Sequence, residues 1–246
     1  MAAEIKIGIL FHSMTTAIIA VISLAFVVFL IRRWRALDDV RRAYTGFWIV
    51  TMLVWSAITA RYFMIGMGYW GGDINAVDRF IQSMVFFTGP PLYYYVGLRL
   101  FSDKRAAIAL ATASLIFSII GMRFVLREDG LVRVAITNFS TETNLNPTSY
   151  QIFLSNIVML VVLIAYDFFL RIRQWIARRD IVFLYDALYS AALLVYVGLG
   201  GIDNSKIFLE WGLVILRIFY SAAFVFAYSV IIGHTFAQDN FLIEEK

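Results

Sequence analysis

The chain alternates between long apolar stretches and short polar connectors. The apolar stretches cover 7–31, 44–68, 80–101, 106–125, 150–170, 181–199 and 207–235. Each is close to or above the roughly 20 residues that a helix needs to cross a bilayer core about 30 Å thick. The strict apolar–polar alternation of a membrane barrel strand is absent. The pattern predicts an all-α integral membrane protein: a seven-transmembrane helix bundle, one membrane domain over 1–246. The last stretch is the longest, which predicts a tilt or a helix that continues past the lipid. The first stretch is longer than the roughly 7–15 apolar residues of a signal-peptide core, and its arginines follow it, so it reads as a retained anchor and not a cleaved signal peptide. The one long connector, 126–149, is expected to be an extracytoplasmic loop. Its segment Val132-Arg133-Val134-Ala135-Ile136 is expected to form a strand of a small hairpin. The same loop holds an acceptor sequon, Asn138-Phe139-Ser140.

Composition sharpens the class. The chain is 61% hydrophobic and 15% charged, against about 45–50% and about 25% in soluble domains. It contains no cysteine, which removes disulfide frameworks, zinc–thiolate sites and cysteine nucleophiles. Charge sets the expected orientation. Of 21 basic residues, thirteen fall in the connectors after the first, third and fifth stretches and at Lys246. Six fall on the other side, and Arg61 and Arg217 lie within stretches. The arginine-dense side is expected to be cytoplasmic, with the N-terminus outside and the C-terminus inside. The net charge of +4 is thereby assigned to membrane orientation, not to nucleic-acid binding. A bacterial cytoplasmic (inner) membrane is the expected location.

Missing residues exclude several functions. None of the four lysines, Lys6, Lys104, Lys206 and Lys246, sits mid-stretch, so no retinal Schiff base fits. The two histidines, His12 and His234, lie toward opposite ends of the bundle, so neither a bis-histidine haem nor a histidine-rich metal site is expected. No hydrolase motif is present. Asp167 and Asp186 form a conceivable carboxylate pair, but they are read as balancing nearby arginines such as Arg171. No enzyme activity, metal or cofactor is expected.

Ionisable groups inside a membrane are costly and mark functional or paired sites. Glu210 and Arg217 are seven residues apart on the last stretch, two helical turns on one face. Arg61 lies in the outer half of the second stretch. Two readings stand. One is a structural ion-pair network of Arg61 or Arg217 with Glu210. The other is a ligand pocket open to the outside, in which a guanidinium receives an anionic head group. In the third stretch, Gly89, Pro90 and Pro91 must kink the helix, because two prolines remove two backbone donors. This kink is either a hinge or fixed packing. Thr88 and the tyrosines Tyr93, Tyr94 and Tyr95 are candidates to satisfy the freed carbonyls, and Tyr93 joins Arg61, Glu210 and Arg217 as a candidate ligand contact. Trp48 and Trp55 read as packing residues.

The segment Gly-Pro-Pro-Leu-Tyr-Tyr-Tyr-Val-Gly-Leu-Arg-Leu at 89–100 resembles the Gly-Pro-x-Leu-Tyr-x-Tyr segment in multi-span N-terminal sensor modules of bacterial membrane-bound regulators. Those modules precede AraC-type DNA-binding or histidine-kinase domains. The resemblance covers twelve residues, and no effector domain follows in this sequence. It implies a stand-alone or truncated sensor that signals through a partner.

A receptor or sensor-like module binding a small anionic or lipidic ligand in its outer half is therefore the first expectation. An accessory subunit of a larger membrane complex is the second, and a transporter or channel the third. The expected partners are the bilayer and a protein or second copy, bound through helix faces or the C-terminal patch Phe241-Leu242-Ile243.

Overall fold

The computed structural model describes residues 6–69, 72–101, 103–133, 143–204 and 211–244. Its helices are α1 (Ile7–Arg32), α2 (Asp39–Gly66), α3 (Gly72–Phe86), α4 (Gly89–Leu100), α5 (Lys104–Val125), α6 (Pro147–Arg178), α7 (Ile181–Asn204) and α8 (Trp211–Glu244). All but α3 and α4 are long and apolar enough to cross a membrane, which makes six such helices among the described residues. The fold is that of a helical membrane bundle. Two short strands, β1 (Leu131–Arg133) and β2 (Thr143–Leu145), pair antiparallel between α5 and α6, with Val132 opposite Asn144. They mark one end of the bundle, the strand end. The connectors after α1, α4 and α6 mark the other, the arginine-rich end.

α3 and α4 each pack between α2 and α5, the other sequence neighbours pack on one another, and α1 also packs on α8, so the helices close into a ring. The centre of the ring is aromatic. Trp48 meets Phe47, Phe26, Tyr196 and Phe224 at centroid separations of 4.9–5.3 Å, in tilted and edge-on geometries. Such offset contacts suit the ring quadrupoles better than face-to-face stacking. The perimeter carries large apolar side chains in the open, including Met14, Val21, Val162 and Phe169, each at least 61% exposed. A soluble monomer rarely shows so extensive an apolar surface. Inside, by contrast, Thr16, Ser23, Thr51, Ser118, Asp167 and Ser190 are buried.

The helices overrun the apolar stretches. α2 takes in Arg41 and Arg42, α6 runs on through Arg171 and Arg173 to Arg178, and α8 reaches Glu244. Hydropathy marks where the surroundings are hydrocarbon. The helix itself continues while its backbone bonds are made, and Arg, Gln and Ala favour it. Local stops are explicit in the sequence. Asp38 caps α2 by accepting from Arg41 N at 2.8 Å, and Asn146 caps α6 by accepting from Ser149 N at 2.8 Å. The intervening Pro147 stands at the first turn, where no donor is needed. Arg179 ends α6 in the left-handed region (φ 55°), and its N–H bonds Trp175 O at 2.7 Å.

The third apolar stretch differs from the expected single kinked helix. It is two helices, α3 and α4, separated at Phe87 and Thr88. Pro90 and Pro91 fall in the first turn of α4, where their missing N–H groups break no α4 bond. The cost falls on the end of α3, whose last carbonyls lose their helical donors. Thr88 Oγ1 donates to Val85 O at 2.7 Å, and Ser118 of α5 donates to Phe86 O at 2.7 Å. Thr88 thus plays its expected part, and the second hydroxyl comes from a serine instead of a tyrosine. Ser118→Ala is expected to destabilise the fold by about 0.6–1.7 kcal/mol, the range for hydrogen bonds between membrane helices. Unfolding by a charged detergent in mixed micelles measures it.

Candidate functional site

At the strand end, α2, α3, β2, α7 and α8 surround a cavity of about 100 Å³. Its walls include Arg61, Asp78, Gln82, Thr143, Asp203 and Arg217. Asp78 and Gln82 are four residues apart, one turn of α3, so both face the same space. Arg61 and Arg217, candidates from the sequence, are brought together here from α2 and α8. Both are buried, at 6% and 4% exposure.

Each arginine has a carboxylate that sequence reasoning did not assign to it. Arg61 Nε bonds Asp78 Oδ1, and its Nη2 donates to Thr143 Oγ1 at 3.1 Å. Thr143 donates in turn to Asp78 Oδ2 at 2.8 Å, which closes a triangle across α2, α3 and β2. Arg217 Nη1 donates to Asp203 Oδ2 at 2.6 Å. Its guanidinium carbon stands 5.2 Å from the Trp55 ring centre and 5.7 Å from that of Tyr220, so aromatic faces supply the rest of its surroundings. Among the described residues Arg217 Nε has no hydrogen-bond acceptor. Glu210, the expected partner, lies outside the described residues, as do the sequon at Asn138 and the side chains of 241–243.

Below this polar cavity lies a second of about 100 Å³, walled mainly by Phe47, Val54, Trp55, Phe86, Leu92, Phe153, Leu160 and Tyr196. Ile58, Val85, Asp203 and Asn204 line both, so the polar space adjoins the apolar one. Thr88 and Gly89, at the break between α3 and α4, form part of the apolar wall. The helix break therefore borders the chamber. Gly89 is pressed against Ser114 and Asn156, where a Cβ would come within 2.8 Å of Ser114 Oγ. Pro91 meets α2, its Cβ 3.5 Å from where a Cβ on Gly46 would stand. Tyr93 is not in either wall. Its hydroxyl donates to Asn156 O at 3.2 Å and ties α4 to α6.

The arginine-rich end holds a second polar cluster. Arg99 Nε donates to Asp167 Oδ2 at 2.8 Å, and its Nη1 donates to Asp186 Oδ1 at 3.0 Å. Ser190 donates to Asp167 at 2.5 Å, and Arg171 Nε donates to the other Asp167 oxygen at 3.3 Å. Asp167 and Asp186 do balance arginines, with Arg99 between them. That arginine sits in the last turn of α4, and nothing in its sequence surroundings separated it from the other interfacial arginines. Next to this cluster is a cavity of about 270 Å³ whose walls include Arg41, Tyr44, Arg99, Asp186, Tyr189 and His234. Tyr189 OH lies 3.0 Å from His234 Nδ1, and His234 stacks on Tyr185 at 5.0 Å. His12, toward the other end, packs on Tyr62 at 5.2 Å. Among the described residues no group of three or more His, Asp or Glu is placed to hold a metal ion.

No protein-family model matches the chain, and no curated protein matches it.

Proposed function

We propose that this protein is a membrane-embedded receptor or sensor-like module that binds a small molecule at its strand end and signals through a protein partner. In this reading α3 and α4 together make one broken crossing, so the chain passes seven times, with the N-terminus outside and the C-terminus in the cytoplasm of a bacterial inner membrane. The observation that carries it is the adjoining pair of cavities. A polar mouth with two buried arginines lies against an apolar chamber, and the helix break forms part of that chamber's wall. A ligand seated there touches the junction at which α4 meets α3. α4 in turn carries Arg99, which holds α6 and α7 together at the opposite end. A rigid helix linking a ligand chamber to a distant ion cluster is a physical connection of the kind that coupling between sites requires.

A transporter is less well supported, because the Trp48 cluster fills the ring between the strand-end cavities and the cavity at the arginine-rich end. The absence of cysteine makes the test direct, since single cysteines can be introduced without background. Phe101 and Val182 are exposed at the arginine-rich end. Spin labels at Phe101→Cys and Val182→Cys, in lipid nanodiscs, are expected to change their separation when a small-molecule extract of the host envelope is added. The charge-neutral double variant Arg217→Gln/Asp203→Asn should lose that change. An unchanged distance, with an extract that does raise the thermal midpoint, would exclude the sensor reading. Impermeant thiol reagents applied to whole cells test the orientation at the same positions.

A further inference from the structure

We infer that the adjoining cavities take a small amphiphile with no net charge: a benzene-sized or short-chain apolar body carrying a hydroxyl or amide head. This rests on the ligand-binding reading above and adds the chemical class to it.

The charge balance of the mouth carries the argument. Among the described residues its walls hold two guanidinium groups, Arg61 and Arg217, and two carboxylates, Asp78 and Asp203. Each cation already bonds an anion. A net anion entering this space would leave one negative charge uncompensated in surroundings that solvate charge poorly, and a buried unpaired charge is strongly disfavoured. The mouth is therefore a poor receptor for the anionic head that the arginines suggest in the sequence.

It is nevertheless not a satisfied, closed network. Arg217 is 4% exposed and lines the mouth, and among the described residues its Nε–H has no acceptor. A buried donor without an acceptor is costly. Asp203, its side chain 18% exposed, keeps acceptor capacity beyond its bond to Arg217. A hydroxyl uses that capacity by donating to Asp203, and an amide does so through its N–H. Neither disturbs the charge balance.

The chamber defines the rest of the ligand. It is lined mainly by aromatic and aliphatic side chains, with Thr88, Asn156, Asp203 and Asn204 beside them, and apolar cavities of about 150 Å³ bind benzene. Trp55 stands in its wall and also under the Arg217 guanidinium, so it reports on both parts. Gly200 offers a way to fill the space. It lines the chamber from α7, and a Cβ there would meet only Tyr220 Oη, at an ordinary 3.8 Å. Gly200→Leu thus adds bulk at a chamber-lining position whose Cβ meets no backbone.

The test uses tryptophan quenching by bromine on the full chain in nanodiscs. The two probes are para-bromobenzyl alcohol and para-bromobenzenesulfonate, matched in body and differing in charge. Specific quenching is the part that Gly200→Leu removes. The alcohol is expected to give specific quenching at a concentration at least about tenfold below that of the sulfonate, a difference of about 1.4 kcal/mol. Arg217→Gln/Asp203→Asn should erase that preference while keeping the apolar component. If the sulfonate binds equally well or better, the neutral-head assignment is overturned and ligand binding in the cavity stands. If neither probe quenches beyond what Gly200→Leu shows, both the assignment and the cavity as a ligand site are overturned.

Discussion

Asp167→Ala is expected to lower the unfolding free energy by about 3–5 kcal/mol, the cost of removing one partner from a buried ion pair. Asp167 has no exposed surface and receives hydrogen bonds from Arg99, Arg171 and Ser190. Its loss leaves Arg99, whose side chain is 5% exposed, with Asp186 as its remaining carboxylate. Arg171, at 18% exposure, can turn toward the interface and loses less. The penalty therefore comes mostly from Arg99. It follows that Arg99→Met in the Asp167→Ala background should recover stability, since the uncompensated charge goes with the guanidinium. Unfolding titrations in mixed micelles of the single and double variants measure this. A double variant no more stable than Asp167→Ala would show that packing around Asp167, and not the charge, holds α4 to α6 and α7.

Asp203→Ala carries the second large effect, again about 3–5 kcal/mol, and it is expected to be asymmetric. Arg217 is 4% exposed and Asp203 18%, so the guanidinium is the more deeply desolvated partner. Deleting the carboxylate strands a buried cation over Trp55 and Tyr220. Deleting the cation leaves a carboxylate that the mouth can hydrate. Arg217→Met should therefore cost clearly less than Asp203→Ala, and the double variant should lie near Arg217→Met. The same titrations, run as a double-mutant cycle, read the coupling directly. Equal losses for the two single variants would mean that the mouth is drier around Asp203 than its exposure indicates.

The two ion clusters were legible to different degrees. Arg61 and Arg217 stand out in the sequence because a charge inside an apolar stretch has a high cost, so each must have a reason to be there. Their carboxylates do not stand out. Asp78 precedes the third stretch and Asp203 follows the sixth, where an acidic residue reads as an ordinary interfacial group. Only packing reveals that α3 and α7 extend far enough to carry these residues into the bundle. Thr143 is harder still, since it reaches Asp78 from a two-stranded ladder outside every apolar stretch. Arg99 fails for a related reason. One of thirteen basic residues assigned to one side, it differs from its neighbours solely in what α6 and α7 place beside it.

The third stretch shows the same division. Two adjacent prolines require an interruption, and the sequence locates it within a residue or two. Whether the interruption is a bend or a complete break depends on who takes the freed carbonyls. Ser118, more than thirty residues away, takes one of them. The sequence by itself determined the class, the positions of the apolar helices and the two arginines that had to be explained. These follow from transfer free energies and from the missing donors of proline, which are properties of a residue and its near neighbours. Tertiary structure alone decided the long-range partners of the buried charges, the break between α3 and α4, and the placing of a polar mouth beside an apolar chamber. Those depend on groups far apart in the chain meeting within hydrogen-bond distance, and no local pattern encodes such a meeting.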